Sequence, residues 1–271
     1  MKPQLLEYSL SDQVRAFSTT RIGGYGTGAY SAFNITHYCG DSAENVKKNR
    51  ELLCGELGIN DGQLILPRQI HSNEVLCLDD SFLKHSDEEK SKCLEGIDAV
   101  ITDIPRICIG VSTADCVPVL LFDGVKKVAA AVHAGWRGTV GKIVLNTISK
   151  MTSRYGCDVA DIKAVIGPSI SLGAFEVGAE VYDEFEKAGF TMREISKFYP
   201  TADGDVTLDG RIGKWHIDLW AANYLLLDSC GIRMENIQVA NVCTYSSSEE
   251  FFSARKLGIQ SGRIFSGILI K

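Results

Sequence analysis

The chain of 271 residues has no Cys-x-x-Cys pair, no apolar run approaching about 18 residues and no cluster of basic residues. Each absence removes a class of function. Nine cysteines, an odd number without that spacing, argue against a disulfide framework, a zinc ribbon and a thioredoxin-type motif. Most thiols are expected free and reduced, with Cys54, Cys77, Cys93, Cys108, Cys157 and Cys230 reading as small buried hydrophobes. No extended apolar core follows Lys2, so neither export nor membrane insertion is indicated, and the cytoplasm is the expected location. The 28 basic and 34 acidic residues leave a net charge of −6. With the basic residues scattered, neither nucleic acid nor an anionic membrane is an expected partner. No Pro-, Ser- or Gly-rich linker and no internal repeat breaks the chain, which reads as one domain over 1–271.

What is present is the make-up of a globular protein, 45% hydrophobic and 23% charged. Strand-like runs include QVRAFSTT, QLILPRQI, EVLCLD, DAVITD, CIGVST, VPVLLF, KVAAAVHA, KAVIG, NIQVANVCTY and RIFSGILI. Helices are predicted over about 42–57, 139–155, 176–188 and 216–230, each stopping at a glycine: Gly58, Gly156, Gly189 and Gly231. Few helices and many hairpin signals suit mixed sheets covered by helices, an α+β fold, better than a doubly wound nucleotide-binding sheet.

Chemistry gathers in Ser112 to Gly138, STADCVPVLLFDGVKKVAAAVHAGWRG, where two apolar strands flank Asp123-Gly124. A hairpin centred between Gly124 and Val125 would set Cys116 opposite His133, with Cβ atoms about 4.5 to 5.5 Å apart. Ala129 and Ala131 would share the face of His133. A third ligand is best supplied by His71, which ends the run LILPRQI among Gln69, Ser72 and Asn73; His37 is the reserve. His85 lies in the charged segment KHSDEEK and His216 at a predicted helix start, so both are weak candidates. Two imidazoles and a thiolate suit Zn²⁺ in an open-sided, catalytic type of site, and copper also tolerates them. Five histidines without a His-x-His pair cannot furnish a multicopper oxidase cluster. A metal-free alternative takes Cys116 as nucleophile and His133 as its base.

Anion-binding candidates lie nearby. AGWRG precedes a predicted helix, so Arg137 and the first free N–H groups could hold phosphate. Arg21 sits beside four glycines in TTRIGGYGTGAYSAFN, which lacks the P-loop Gly-Lys-Ser/Thr and the GxGxxG register. FFSARKLGIQSGR carries Arg255 and Arg263, for which surface solvation is the simpler reading.

Taken with STTRIGG, QIHS at 69–72, IDAVIT, TADCVPVLLFD, AAVHAGWRG, IGPSI followed by FEVG, and FFSARKLGIQSGRI, the chain resembles the multicopper polyphenol oxidase or laccase domain family. Members are associated with purine nucleoside phosphorylase activity, and one branch is called peptidoglycan editing factor. The resemblance implies zinc held by His71, Cys116 and His133. It also implies phosphorolysis of adenosine, inosine and methylthioadenosine to ribose 1-phosphate and base, with deamination of adenosine. Phosphate would meet Arg21, Arg137 and Arg255, while Asp98 would orient a ligand or contact substrate. The deaminase signature H-x-E with P-C-x-x-C is absent. The family fold is similar to the cytotoxic necrotizing factor deamidases, implying a layered α/β/β/α arrangement and keeping open a Cys-His hydrolase acting on peptidoglycan precursors or small amides. A polyphenol oxidase with bound copper is the other alternative. The frequent Asp-Ala-Asp-Ala is reduced here to Ile97-Asp98-Ala99, and Phe-Phe-Ser is followed by Ala254-Arg255.

Overall fold

Alternation along the Val117–Asp123 strand sends Val117, Val119 and Leu121 to one core and Leu120 and Phe122 to another. Both faces of its sheet are therefore covered. The computed structural model describes residues 2–206, 210 and 212–271. Within them a six-stranded sheet runs in the order Ile237–Val239, Ile162–Ile166, Val117–Asp123, Val128–Ala134, Ala99–Thr102, Val75–Cys77. Its two outer pairings are parallel and the inner ones antiparallel. A five-stranded sheet, also mixed, has the order Leu5–Tyr8, Val14–Thr19, Ile264–Ile270, Cys108–Thr113, Leu64–Ile65. A small antiparallel sheet joins Glu176–Val177, Ile212–Ile217 and Ser196–Val206.

Three apolar layers bind these elements in the expected α+β form. Outside the six-stranded sheet, Val119, Leu121, Ala130 and Val132 meet Val144, Ile148 and Met151 of the Ile143–Tyr155 helix and Leu227 of the Leu219–Ser229 helix. Between the sheets, Leu120, Phe122, Ala129 and Ala131 pack with Ala16, Ile109, Val111 and Ile268. On the far face, Phe17, Phe265 and Leu269 meet Leu53 and Leu57 of the Ala43–Leu57 helix. Each fully buried large aliphatic or Phe side chain here contributes about 1.5–3 kcal/mol. The order is helix, sheet, sheet, helix.

Several boundaries differ from the sequence reading. The helix expected over 139–155 is two, Trp136–Val140 and Ile143–Tyr155, because Lys142 takes a left-handed φ of 59° between them. Residues 176–177 and 212–217 are strands, so the third and fourth helices start later, at Ala179 and Leu219. The Asp218 carboxylate accepts from the Ala221 N–H and sets that later start. Of QLILPRQI only Leu64–Ile65 is strand, since Pro67 has no N–H to extend a ladder. Two helices in the charged segment, Asp80–Lys84 and Asp87–Leu94, were not expected, although Ser86 and Glu89 form a capping box. Among the described residues no helix is long and apolar enough to cross a membrane.

Candidate metal centre

The hairpin carrying Cys116 and His133 is closed by four residues, 124–127. Asp123 Oδ1 accepts from the Val125 and Lys126 N–H groups, both at 2.8 Å, and Lys127 completes the turn at φ 55°. Asp123 therefore faces Val128, and Pro118, not Cys116, faces His133. The expected direct pairing of Cys116 with His133 is thereby corrected. A slip of two residues preserves the side-chain face, however, because strand side chains repeat every second residue. His133 does share the inter-sheet face with Ala129 and Ala131, and Cys116 sits just before the strand, next to Gly135.

Cys116 Sγ and one ring nitrogen each of His71 and His133 all lie within 4.8 Å of one another. Cys116 Sγ is 3.7 Å from His71 Nε2, and the two imidazole centroids are 4.8 Å apart. Tetrahedral zinc with bonds of about 2.0–2.3 Å needs ligand atoms about 3.3–3.7 Å apart, so this donor set fits with a contraction of about 1.5 Å at most. His133 is buried, Cys116 half-buried and His71 exposed, which leaves one side open to solvent. Among the described residues this is the one group of three or more His, Cys, Asp or Glu placed to hold a metal ion.

Backbone geometry on both sides of the site is unusual. His71 has φ 65° and Asp115 φ 91°, in the left-handed region that costs a residue with a side chain about 1–2 kcal/mol. Asp115 uses its carboxylate to tie other segments to the Cys116 corner: Oδ1 accepts from the Thr244 hydroxyl and Oδ2 from the Arg255 N–H, each at 2.7 Å. Its carbonyl accepts from the Ile170 N–H. Gly135 passes so near the site that a Cβ there would lie 2.9 Å from Cys116 Sγ and 3.0 Å from His71 Cδ2. Sequence reasoning gave Asp115, Thr244 and Gly135 no role, though TADC and HAGWRG contain two of them.

Charge is shared between the thiol and the imidazole. Surrounding protein opposes a thiolate at Cys116, but His133 and then His71 outweigh it and bring the thiol down to about 6. Burial likewise opposes protonation of His133, and Cys116 and Asp98 outweigh it, raising the imidazole to about 9.

The other candidates divide. Arg137 is exposed beside the site, its guanidinium 4.2 Å from the Trp136 ring and, among the described residues, without a hydrogen bond or ion pair. The helix it sits on has five residues, so the long helix N-terminus expected to hold an anion is absent there. Arg255 is exposed and reaches the Glu176 carbonyl at 3.0 Å. Arg21 is half-buried, donating to the Ser31 and Ser248 carbonyls and lying 4.9 Å from the Phe252 ring. Arg263 is turned to the carbonyls of Ile259, Ser261 and Gly262. Asp98, offered as a substrate contact or a ligand-orienting group, is fully buried with both oxygens bonded inside the chain. The reserve ligand His37 stacks edge-on against Tyr38, outside the cluster. His85 lies 3.9 Å from Cys93, and His216, on a strand rather than a helix, is 2.9 Å from the Leu172 carbonyl.

The chain is similar to known proteins over nearly its whole length. The family model described as multi-copper polyphenol oxidoreductase laccase matches residues 15–271. A purine nucleoside phosphorylase of Bacteroides thetaiotaomicron is 45% identical over 254 residues, covering 94% of this chain and 90% of its own. Adenosine deaminase RL5, from an unknown prokaryotic organism, is 43% identical over 258 residues, or 95% and 94% of the two chains. Among solved structures, the hypothetical protein YfiH of Bacillus licheniformis superposes with a TM-score of 0.87 at 26% identity, over 99% of this chain and 97% of that one. The chain belongs to the multi-copper polyphenol oxidoreductase laccase family.

Proposed function

We propose that the chain, acting as one cytoplasmic domain, is a zinc-dependent purine nucleoside phosphorylase that also deaminates adenosine. Adenosine, inosine and methylthioadenosine are its proposed substrates, with ribose 1-phosphate and free base as phosphorolysis products. The observation that carries this reading is the convergence of His71, Cys116 and His133 on one open-sided point. It occurs in a chain 45% identical to a relative named purine nucleoside phosphorylase and 43% identical to one named adenosine deaminase. Two imidazoles and a thiolate form a borderline-soft donor set suited to zinc. When bound, such an ion supplies a Lewis acid and lowers the pKa of its water to about 7. A single three-residue cluster among the described residues favours this reading over multinuclear copper chemistry.

Phosphate needs a cation that is not already engaged. Arg137 meets that need, being exposed next to Gly135 with only an aromatic ring against its guanidinium. Arg255 comes second, its backbone N–H tied to Asp115 and its guanidinium bonded to the Glu176 carbonyl. Arg21 is the weakest of the three, since its guanidinium already serves two carbonyls. Incubation of metal-replete protein with inosine should yield ribose 1-phosphate only when phosphate is present. Absence of any phosphate-dependent product would overturn the proposal.

One observation favours a second reading, a Cys-His hydrolase acting on small amides or peptidoglycan precursors. Asp98 bonds His133, which in turn lowers the Cys116 thiol, the order of groups in an activated nucleophile. Amide hydrolysis that survives a chelator and disappears in Cys116→Ser would select it.

A further inference from the structure

Asp98 lies one residue before the Ala99–Thr102 strand, whose register with Val128–Ala134 pairs Ala99 with Val132. That register puts Asp98 directly opposite His133, whose N–H donates to the Asp98 carbonyl at 2.8 Å. The side chains meet as well: His133 Nδ1 is 2.6 Å from Asp98 Oδ1. Asp98 has no exposed surface, and both of its oxygens accept from backbone N–H groups, the bonding of a carboxylate, which has no proton to donate. The proton of this bond therefore sits on Nδ1, which reserves Nε2 of His133 as the nitrogen that would bind a metal, losing its own proton when it does so.

The same carboxylate organises the second imidazole through the backbone. Oδ1 also accepts from the His71 N–H at 3.0 Å, while Oδ2 accepts from the Ile70 N–H at 3.2 Å and the Ser72 N–H at 2.8 Å. The Ser72 hydroxyl adds a fifth bond at 2.7 Å. Three successive N–H groups can close on one anion only where the chain turns through a left-handed residue, forming a concave nest. His71 is that residue, at φ 65°. The side chain of His71 is exposed, bounded by Gly135 and the His133 ring, and its backbone is set by the nest beneath it.

We propose that Asp98 is the single positioning residue for both imidazoles, fixing the tautomer of His133 and folding the 70–72 segment so that His71 meets Cys116. This rests on the metal-site part of the reading above and is independent of the substrate. Asp98→Asn removes the charge and leaves one accepting oxygen where five donors converge, so the His133 ring and the 70–72 segment can no longer both be held as the carboxylate holds them. Ser72→Ala removes one of the five bonds and keeps the carboxylate.

The test is zinc affinity by chelator competition, with the visible spectrum of the cobalt-substituted protein as a second readout. Asp98→Asn is expected to weaken zinc binding by about 10–100-fold or more, as loss of an orienting partner does elsewhere, and to change the cobalt spectrum. Ser72→Ala is expected to stay near wild type. Because Asp98→Asn could fail to fold, nitrogen NMR of the wild-type imidazoles supplies a separate arm: zinc-loaded protein should show His133 protonated at Nδ1. Wild-type affinity in Asp98→Asn, or a His133 protonated at Nε2, overturns the inference. Wild-type protein that takes up neither zinc nor cobalt instead overturns the metal reading on which it rests.

Discussion

At the scale of single residues, the site depends on what is missing at position 135 as much as on the ligands. Gly135 has an ordinary φ of −62°, so conformational freedom does not explain a glycine there; space does. A methyl group would press on Cys116 Sγ at 2.9 Å and on His71 Cδ2 at 3.0 Å, both below ordinary van der Waals contact. Gly135 itself is buried at the end of a packed strand, so the two ligand side chains would have to yield rather than the backbone. Gly135→Ala should therefore leave the fold cooperative while reducing zinc affinity by about tenfold or more, a loss of the size produced by disturbing groups that fix ligands. Chelator competition alongside thermal unfolding measures both. Undiminished affinity would show that the ligands have slack that the packing does not suggest.

At the scale of elements, the hairpin is the unit that brings the thiol and one imidazole to the same end of the sheet, and Asp123 closes it. Its Oδ1 satisfies two turn N–H groups from a fully buried position. Asp123→Ala should lower stability by about 1–3 kcal/mol, the loss of two turn hydrogen bonds to a charged acceptor, with zinc affinity little changed because strand pairing still sets the register. Urea denaturation followed with the same affinity assay checks this. The hairpin also shows what was legible in the chain. Val117–Asp123 and Val128–Ala134 follow from apolar runs bounded by turn residues. The turn length does not, because the alternatives differ only in whether Lys126 and Lys127 pair or bend. The error survived harmlessly, since a shift of two residues returns Cys116 to the face of His133. Asp98 was harder to place: its partner strand lies about 30 residues further along, and nothing local announces that Ala99 pairs with Val132. The break at Lys142 was equally hidden, because lysine is an unexpected residue for φ 59° and its ammonium lies 3.4 Å from the Phe190 ring, a contact visible only in three dimensions.

At the scale of the whole molecule, two sheets back to back leave an edge at which the inter-sheet face of one strand ends, and His133 occupies that edge. Its buried position makes the thiolate and imidazolium of the metal-free protein a determinant of global stability. The folded pKa of His133, about 9, exceeds the unfolded value of about 6.5, so its contribution is complete below about 6.5 and is lost as pH rises through about 9. The folded pKa of Cys116, about 6, is below the unfolded value of about 8.5, so its contribution is complete above about 8.5 and is lost as pH falls through about 6. Both describe one coupled pair and do not add. Chelator-treated protein should therefore melt highest between about 6 and about 9. Cys116→Ser cannot form the thiolate, which removes the acidic edge of that window and lets His133 titrate at lower pH, moving the alkaline edge down. Melting temperatures of the two metal-free proteins across this range decide the matter, and identical pH profiles would mean that the pair does not contribute to folding.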